Sequence, residues 1–162
     1  MRKIAFGIAA LAAVVTAPAF AATTTNTMPV SVNVINSCTV AATPMSFGAP
    51  TSIGGSVINS SSTISLVCTN GATYDVALDN GTHAAGSQRN MQSAGGVSIP
   101  YNVYSDSARS AAWGSTSGTN TVASTMGLSG TATLTAYGQI PASASPVVAG
   151  SYTDTITVTV TF

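Results

Sequence analysis

The last eleven residues of the chain alternate strictly between two kinds of side chain. Threonine occupies every second position, and the positions between the threonines are Tyr152, Asp154, Ile156, Val158, Val160 and Phe162. Successive side chains of a β-strand point to opposite faces, so this pattern predicts a strand with a mainly apolar face in a core and a threonine face in solvent. Because an isolated strand is not stable, the rest of the chain must supply a sheet.

Alternation also predicts strands in three other parts of the chain. Residues 63–79 predict a hairpin, because two alternating runs flank Asn70-Gly71, a pair that suits a type I′ turn. Residues 97–104 and 130–140 predict further strands. Beyond the N-terminal region, no segment carries apolar residues at helical spacing over three turns. We therefore predict an all-β fold of about six or seven short strands, an immunoglobulin-like two-sheet sandwich, with a barrel as the alternative.

The chain begins with the pattern of a secretory signal peptide, residues 1–21. Arg2 and Lys3 give a charged start, residues 4–15 are an apolar run, and an A-x-A cleavage site ends at Ala21. The apolar run is twelve residues long, whereas a membrane-spanning helix needs about twenty. We therefore predict cleavage and export of the mature chain rather than a membrane anchor.

Export makes the cysteines informative, since disulfides persist in oxidising compartments. Cys38 and Cys68 are the only two cysteines, so one intramolecular pairing is available. In the chain-entropy model, a disulfide that closes a loop of about 30 residues stabilises the fold by about 3 kcal/mol. A metal pair or a redox motif is the alternative, and it is disfavoured because there is no C-x-x-C and His83 is the single histidine. We predict a Cys38–Cys68 disulfide.

Charged side chains are scarce, which excludes several function classes. They make up 5% of the residues, with four basic and four acidic groups, so no basic stripe is available to bind a nucleic acid. The sequence also lacks a P-loop, a G-x-G-x-x-G motif and a metal-ligand cluster, and we expect no cofactor and no metal. His83 with Asp79 and Ser87 is the one conceivable triad, but these residues lie in a turn region and no G-x-S-x-G elbow is present. We predict that the protein is not an enzyme.

The segment between the cleavage site and Cys38, residues 22–36, is a strand-capable arm. Its alternating apolar side chains are Met28, Val30, Val32 and Val34. One interpretation makes the arm the first strand of its own sandwich. In the other, the fold is short of a strand after the C-terminal one, and an open edge beside a hydrophobic groove recruits the arm of a neighbouring copy. Repeated head-to-tail insertion would then give a filament.

Several sequence blocks together resemble a known family. The most specific are Tyr101-Asn102-Val103-Tyr104-Ser105-Asp106 with Ala108-Arg109, Tyr137-Gly138-Gln139-Ile140-Pro141 and Ala149-Gly150-Ser151-Tyr152-Thr153-Asp154. The mature chain resembles the spore coat protein U domain as it occurs in subunits of archaic, Csu-type chaperone-usher fimbriae. The resemblance implies that residues 37–162 form an incomplete immunoglobulin-like sandwich, completed by a donor strand from a neighbouring subunit.

The resemblance also implies sites and partners. The donor side chains would be Met28, Val30, Val32 and Val34, and the strand that borders the groove and contacts a chaperone would carry Ile156, Val158, Val160 and Phe162. The implied partners are other copies or related pilin subunits, a periplasmic chaperone and an outer-membrane usher.

The implied function is that of a fimbrial rod subunit, exported through the periplasm to the cell surface and serving surface attachment and biofilm formation. The alternatives are a spore coat structural protein and a secreted carbohydrate- or surface-binding sandwich. Such a binding protein would use an exposed aromatic side chain, for which Trp113 is the candidate, although a lone tryptophan is more often a packing residue.

Overall fold

The computed structural model describes residues 20–162, which form β-strands joined by turns and loops. The strands are β1 (Cys38–Ala42), β2 (Ile58–Cys68), β3 (Thr73–Leu78), β4 (Arg89–Gln92), β5 (Ser98–Tyr104), β6 (Val122–Thr125), β7 (Thr131–Ile140) and β8 (Val158–Thr161). Residues 1–19, which hold most of the predicted signal peptide, lie outside the described residues. The described part of the chain contains no helix long and apolar enough to cross a membrane.

The strands all belong to the compact unit Val34–Phe162 and form two antiparallel sheets. The first sheet has the order β1-β2-β7-β5-β4, and the second has the order β6-β3-β8. β2 and β7 form the longest pair, in which Ile58 lies opposite Ile140 and Val67 lies opposite Thr131. This architecture confirms the predicted all-β, two-sheet fold.

The core lies between the two sheets, because each strand turns one of its alternating faces inward. Buried apolar side chains come from both sheets and include Ile64, Leu66, Val76, Leu78, Ile99 and Val103. Trp113 is 1% exposed, and its Nε1 donates a hydrogen bond to the carbonyl oxygen of Val76 at 2.9 Å. Trp113 is therefore a packing residue, and its ring is not available for the stacking that the carbohydrate-binding alternative would use.

The predicted hairpin has the correct strands but the wrong pairing. β2 pairs with β1 and β7, whereas β3 pairs with β6 and β8 in the other sheet. A type I′ turn needs positive φ at both central residues. Gly71 has φ 77°, but Arg109 is the one described non-glycine residue with positive φ, so Asn70 does not satisfy the requirement. The turn carries the chain across the sandwich, which brings the apolar faces of both strands into one core.

The C-terminal strand is shorter than predicted. Alternation covers residues 152–162, but β8 contains only Val158–Thr161. The residues before β8 keep the alternation of half-buried and exposed side chains, yet Thr153 forms an isolated bridge with Gln92 instead of continuing the ladder to β3. Periodicity predicts which face is buried but not which strand is the partner.

Three short strands were not predicted from the sequence. β1, β4 and β6 carry the sequences CTVAA, RNMQ and VAST. Four or five residues are too few to show a clear alternation. These strands form because a longer neighbour offers them backbone hydrogen-bonding partners.

The predicted disulfide between Cys38 and Cys68 is confirmed. The two cysteines lie opposite each other in the β1–β2 register, so the bond fastens the first residue of β1 to the last residue of β2. Next to it, the backbone N–H of Thr69 donates to the carbonyl oxygen of Ser37 at 2.9 Å, and the Thr69 hydroxyl donates to that of Ile35 at 3.0 Å. The disulfide and these hydrogen bonds fix the chain where it enters the sandwich.

Replacing both Cys38 and Cys68 by serine should lower the free energy of unfolding by about 2–4 kcal/mol, because the unfolded chain regains loop entropy. Urea unfolding of the mature wild-type and variant proteins measures the difference. As a control, a reductant should lower the stability of the wild type to that of the variant and leave the variant unchanged. Equal stability of the oxidised wild type and the variant would contradict the prediction.

Candidate binding groove

Two edge strands from different sheets lie side by side, β1 of the five-stranded sheet and β8 of the three-stranded sheet. β1 pairs with β2 and β8 pairs with β3, and within residues 20–162 neither has a second strand partner. Each strand therefore presents one row of backbone N–H and C=O groups that is free to pair. An added strand could pair with either edge. Some Cα atoms of β1 and β8 lie within 8 Å of each other, whereas two strands with a third between them lie about 9.6 Å apart, so pairing with both edges requires them to separate.

A cavity of about 490 Å³ opens beside these edges. Ala42 at the end of β1 and Ile156 and Val158 around the start of β8 line it, and the buried side chains of Ile64 and Val103 lie at its base. We call this cavity, together with the free edges of β1 and β8, the groove. Apolar lining beside free backbone edges suits an added strand that carries apolar side chains on one face.

A second cavity of about 470 Å³ adjoins the groove. The side chains that line both cavities are Met45, Phe47, Met91 and Tyr152, which we call the partition. The Phe47 ring meets the Tyr101 ring edge to face, with 6.1 Å between centroids. Met45 and Phe47 also pack over Gly138, where an added Cβ would overlap the Met45 sulfur. A side chain at residue 138 would therefore displace the end of the Met45 side chain.

Three of the four residues predicted to border the groove face the interior. Ile156 and Val158 line the groove, and Val160 is half-buried against the core. Phe162 differs, because it is 52% exposed and lines a shallow depression with Thr161. As the last residue, Phe162 lies beyond the end of β8, and the sheet does not hold its side chain in the phase of the strand.

The arm, residues 22–36, contains no assigned strand. Its four alternating side chains are all exposed: Met28 by 83%, Val30 by 85%, Val32 by 87% and Val34 by 73%. In the described part of the chain the first strand begins at Cys38.

Comparison with known families identifies the relatives of this chain. Residues 24–159 match the family model of the Spore Coat Protein U domain, which is most of the chain. The chain belongs to the spore coat protein U domain family. This match confirms the resemblance carried by the tyrosine-rich blocks of the sequence. No curated protein sequence matches the chain.

A solved structure shares the fold of this spore coat protein U domain. The chain is similar to one in the crystal structure of the CsuC-CsuE chaperone-tip adhesion subunit pre-assembly complex from archaic chaperone-usher Csu pili of Acinetobacter baumannii. The TM-score is 0.56 and the sequence identity 23%, and the match covers 80% of this chain and 40% of that chain. The similarity shows a shared fold.

A buried carboxylate fastens the segment that borders the groove in this spore coat protein U domain. The Asp154 side chain is 2% exposed. It accepts hydrogen bonds from the Tyr101 hydroxyl at 2.7 Å and the Thr82 hydroxyl at 2.9 Å, and His83 Nδ1 lies 3.1 Å away. Burial raises the pKa of Asp154, but the hydrogen bonds from Tyr101 and Thr82 lower it more, and the net pKa lies below the ordinary value. We call these four residues the Asp154 cluster.

Arg89, beside this cluster, was not recognised from the sequence. It is 6% exposed, and its guanidinium donates to the carbonyl oxygens of Leu78 at 3.1 Å, Asp79 at 2.9 Å and Trp113 at 2.9 Å. Burial lowers the pKa of Arg89, but an arginine remains charged near neutral pH. Arg89 and Arg109 are the only basic side chains after residue 21. That scarcity is the one signal that could have indicated a structural role.

Two of the three residues considered for a catalytic triad, His83 and Asp79, are held in other contacts. His83 pairs with Asp154, while Asp79 Oδ1 accepts backbone hydrogen bonds from Gly81 and Thr157, both at 2.9 Å. Among residues 20–162, no group of three or more side chains is placed to hold a metal ion. These polar contacts fasten the loop after β3 to the segment before β8, and therefore shape one wall of the groove.

Acid should weaken the fold through Asp154 and Asp79, whose folded pKa values lie below the ordinary aspartate value of 3.8. As the pH falls through this value, the unfolded chain binds protons first, so the free energy of unfolding decreases until the folded carboxyls are also protonated. The Asp154→Asn variant should be less stable than the wild type by about 1–3 kcal/mol at neutral pH, because a charge-assisted acceptor is lost.

Urea unfolding at a series of pH values measures this contribution. The difference between wild type and Asp154→Asn should shrink as the pH falls below the ordinary aspartate value and the folded carboxyl becomes protonated. A difference that does not depend on pH would show that the ionised form of Asp154 contributes nothing.

Proposed function

We propose that this protein is a subunit of a chaperone-usher fimbria and that its groove accepts the arm of a neighbouring copy. The observation that carries the proposal is the open apolar groove between the free edges of β1 and β8. The same chain carries an alternating apolar arm whose side chains are exposed. Groove and arm have the complementary properties of an acceptor and a donor strand.

The arm suits the groove in length and periodicity. Side chains on one face of a strand repeat about every 6.6–6.8 Å, so Met28 to Val34 would span roughly 20 Å. Their backbone would pair with β1 on one side and β8 on the other, while the four apolar side chains fill the groove. Burial of the four apolar side chains is opposed by the conformational entropy that the arm loses when it becomes ordered. Main-chain hydrogen bonds to both edges would supply the additional stabilisation.

The placement of donor and acceptor on one chain determines the kind of assembly. The arm and the groove are different surfaces, so the contact between two copies is heterologous and leaves a free groove at one end and a free arm at the other. Each addition therefore creates the site for the next one. The product is an open filament, which is the architecture of a fimbrial rod.

A chaperone and an usher complete the proposed pathway. A subunit with an open groove exposes strand edges and apolar surface, which promote aggregation. The similar solved structure is a chaperone-subunit pre-assembly complex from an archaic chaperone-usher system, which supports a periplasmic chaperone that covers the groove until the arm of a neighbour replaces it. An outer-membrane usher would then export the fibre to the cell surface, where it would serve attachment and biofilm formation.

Moving the arm within one chain tests the donor function. When residues 22–35 are also appended after Phe162 through a short flexible linker, the added copy can return antiparallel to β8 and fill the groove in the same molecule. This variant should be a monomer with a melting temperature higher by more than about 10 °C, since several kcal/mol of binding energy are added intramolecularly. Deletion of residues 22–35 should abolish polymerisation.

A matched control separates donor pairing from a general effect of the added tail. The same appended arm with Val30→Ser and Val32→Ser keeps its length and backbone but loses two apolar side chains, and we expect most of the gain in melting temperature to disappear. Equal melting temperatures for the wild type, the deletion and the appended chain would contradict the proposal and favour an ordinary complete sandwich.

A further inference from the structure

Methionine side chains lie on both surfaces that the proposed assembly would join. Residues 20–162 contain four methionines: Met28, Met45, Met91 and Met126. Met28 is an exposed donor side chain of the arm, whereas Met126 is buried in the core at 3% exposure. Met45 and Met91 are half-buried and belong to the partition that lines the groove. Three of the four therefore belong to the donor or the acceptor surface.

Within the partition, Met45 and Met91 lie beside open space. Both line the 490 Å³ groove and the 470 Å³ cavity next to it, so each borders a cavity on two sides. Met45 packs against Gly138 and Met91 lies opposite Ile99 in the β4–β5 register, which holds both residues at this position. A flexible thioether fills irregular space well, but it is also a target of oxidants.

We propose that Met45 and Met91 are oxidation sites for peroxides and that their conversion to sulfoxides prevents the groove from accepting a donor arm. In this step the thioether sulfur attacks one peroxide oxygen, an S–O bond forms and the O–O bond breaks. The sulfur loses two electrons and keeps that oxygen, while the second oxygen of hydrogen peroxide is reduced and leaves with both hydrogens as water. The inference rests on the proposed donor-strand function.

The effect on assembly follows from the polarity of the product. A sulfoxide is polar, and its burial against an apolar donor strand is unfavourable unless it finds a hydrogen-bonding partner. An inserted arm would cover the partition and shield its sulfurs. Oxidation would therefore prevent the assembly of subunits whose groove is still open, and it would not affect subunits whose groove is already filled. Because methionine sulfoxide reductases reverse the reaction, the block is reversible.

Peptide mass spectrometry after treatment with hydrogen peroxide tests the accessibility of each sulfur. In the chain lacking residues 22–35, whose groove stays empty, Met45 and Met91 should oxidise at least about fivefold faster than Met126, whose burial makes it the internal reference. In the variant with residues 22–35 appended after Phe162, their rates should fall toward that of Met126. Rates equal to that of Met126 in the chain without an appended arm would overturn the proposal.

Binding of a donor peptide tests whether oxidation prevents the groove from accepting the arm. The acceptor is the chain lacking residues 22–35, and the probe is a synthetic peptide of these residues, added after the peroxide has been removed so that Met28 stays reduced. Oxidation of the acceptor should weaken binding by about tenfold or more, and methionine sulfoxide reductases should restore it. The Met45→Leu, Met91→Leu double variant is compared with itself: whatever its affinity for the peptide before treatment, peroxide should leave that affinity unchanged, since leucine lacks the sulfur.

The outcomes separate this proposal from the function on which it rests. Failure of the peptide to bind the unoxidised acceptor would overturn the donor-strand function and the oxidation proposal together. Normal binding to an acceptor that carries both sulfoxides would overturn the oxidation proposal alone. If the double variant does not fold, as judged by circular dichroism, the single Met45→Leu and Met91→Leu variants replace it and should each lose part of the sensitivity.

Discussion

The free backbone edges of β1 and β8 are the constraint on which the rest of this structure depends. A strand edge presents hydrogen-bonding groups that pair with any suitable extended chain. Here two such edges lie side by side and border a cavity whose base reaches the core residues Ile64 and Val103. Under the proposed function, a single added strand separates the two edges, pairs with both and covers the apolar lining.

Polar contacts maintain one wall of the groove although the β-ladder there is short. β8 pairs with β3 over Val158–Thr161 only, and the residues before it depend on other contacts. Asp154 supplies these through Tyr101 and Thr82, and Asp79 receives the backbone N–H of Thr157. Two of the four acidic side chains, Asp79 and Asp154, thus lie where the sheet does not hold the backbone, and their contacts shape one wall of the groove.

Periodicity predicted the positions and buried faces of the longer strands, but it did not predict which strands pair or which side chains from distant parts of the chain meet. The alternation around Ile64 and Val76 identified β2 and β3 and their buried faces, but an Asn-Gly pair could not reveal that the turn connects two sheets. The position of Arg89 depends on carbonyl oxygens from two other parts of the chain, and no local pattern encodes that. Ile156 and Val158 line the cavity because they share the inward phase of the strand, whereas Phe162 lies beyond its end, and the assignment of these residues to a donor or chaperone contact stays a prediction. The methionines of the partition come from two separate segments and were recognised only once the fold had brought them together.

Amide hydrogen exchange of β8 tests the central claim most directly. The chain lacking residues 22–35 is compared with and without the peptide of these residues, and the readout is the exchange of those amides in residues 158–161 that are not bonded to β3. The account predicts rapid exchange in the free chain and strong protection once the peptide is bound, with parallel protection of the free edge of β1. Amides that are already protected in the free chain, or that exchange equally fast with saturating peptide, would contradict it.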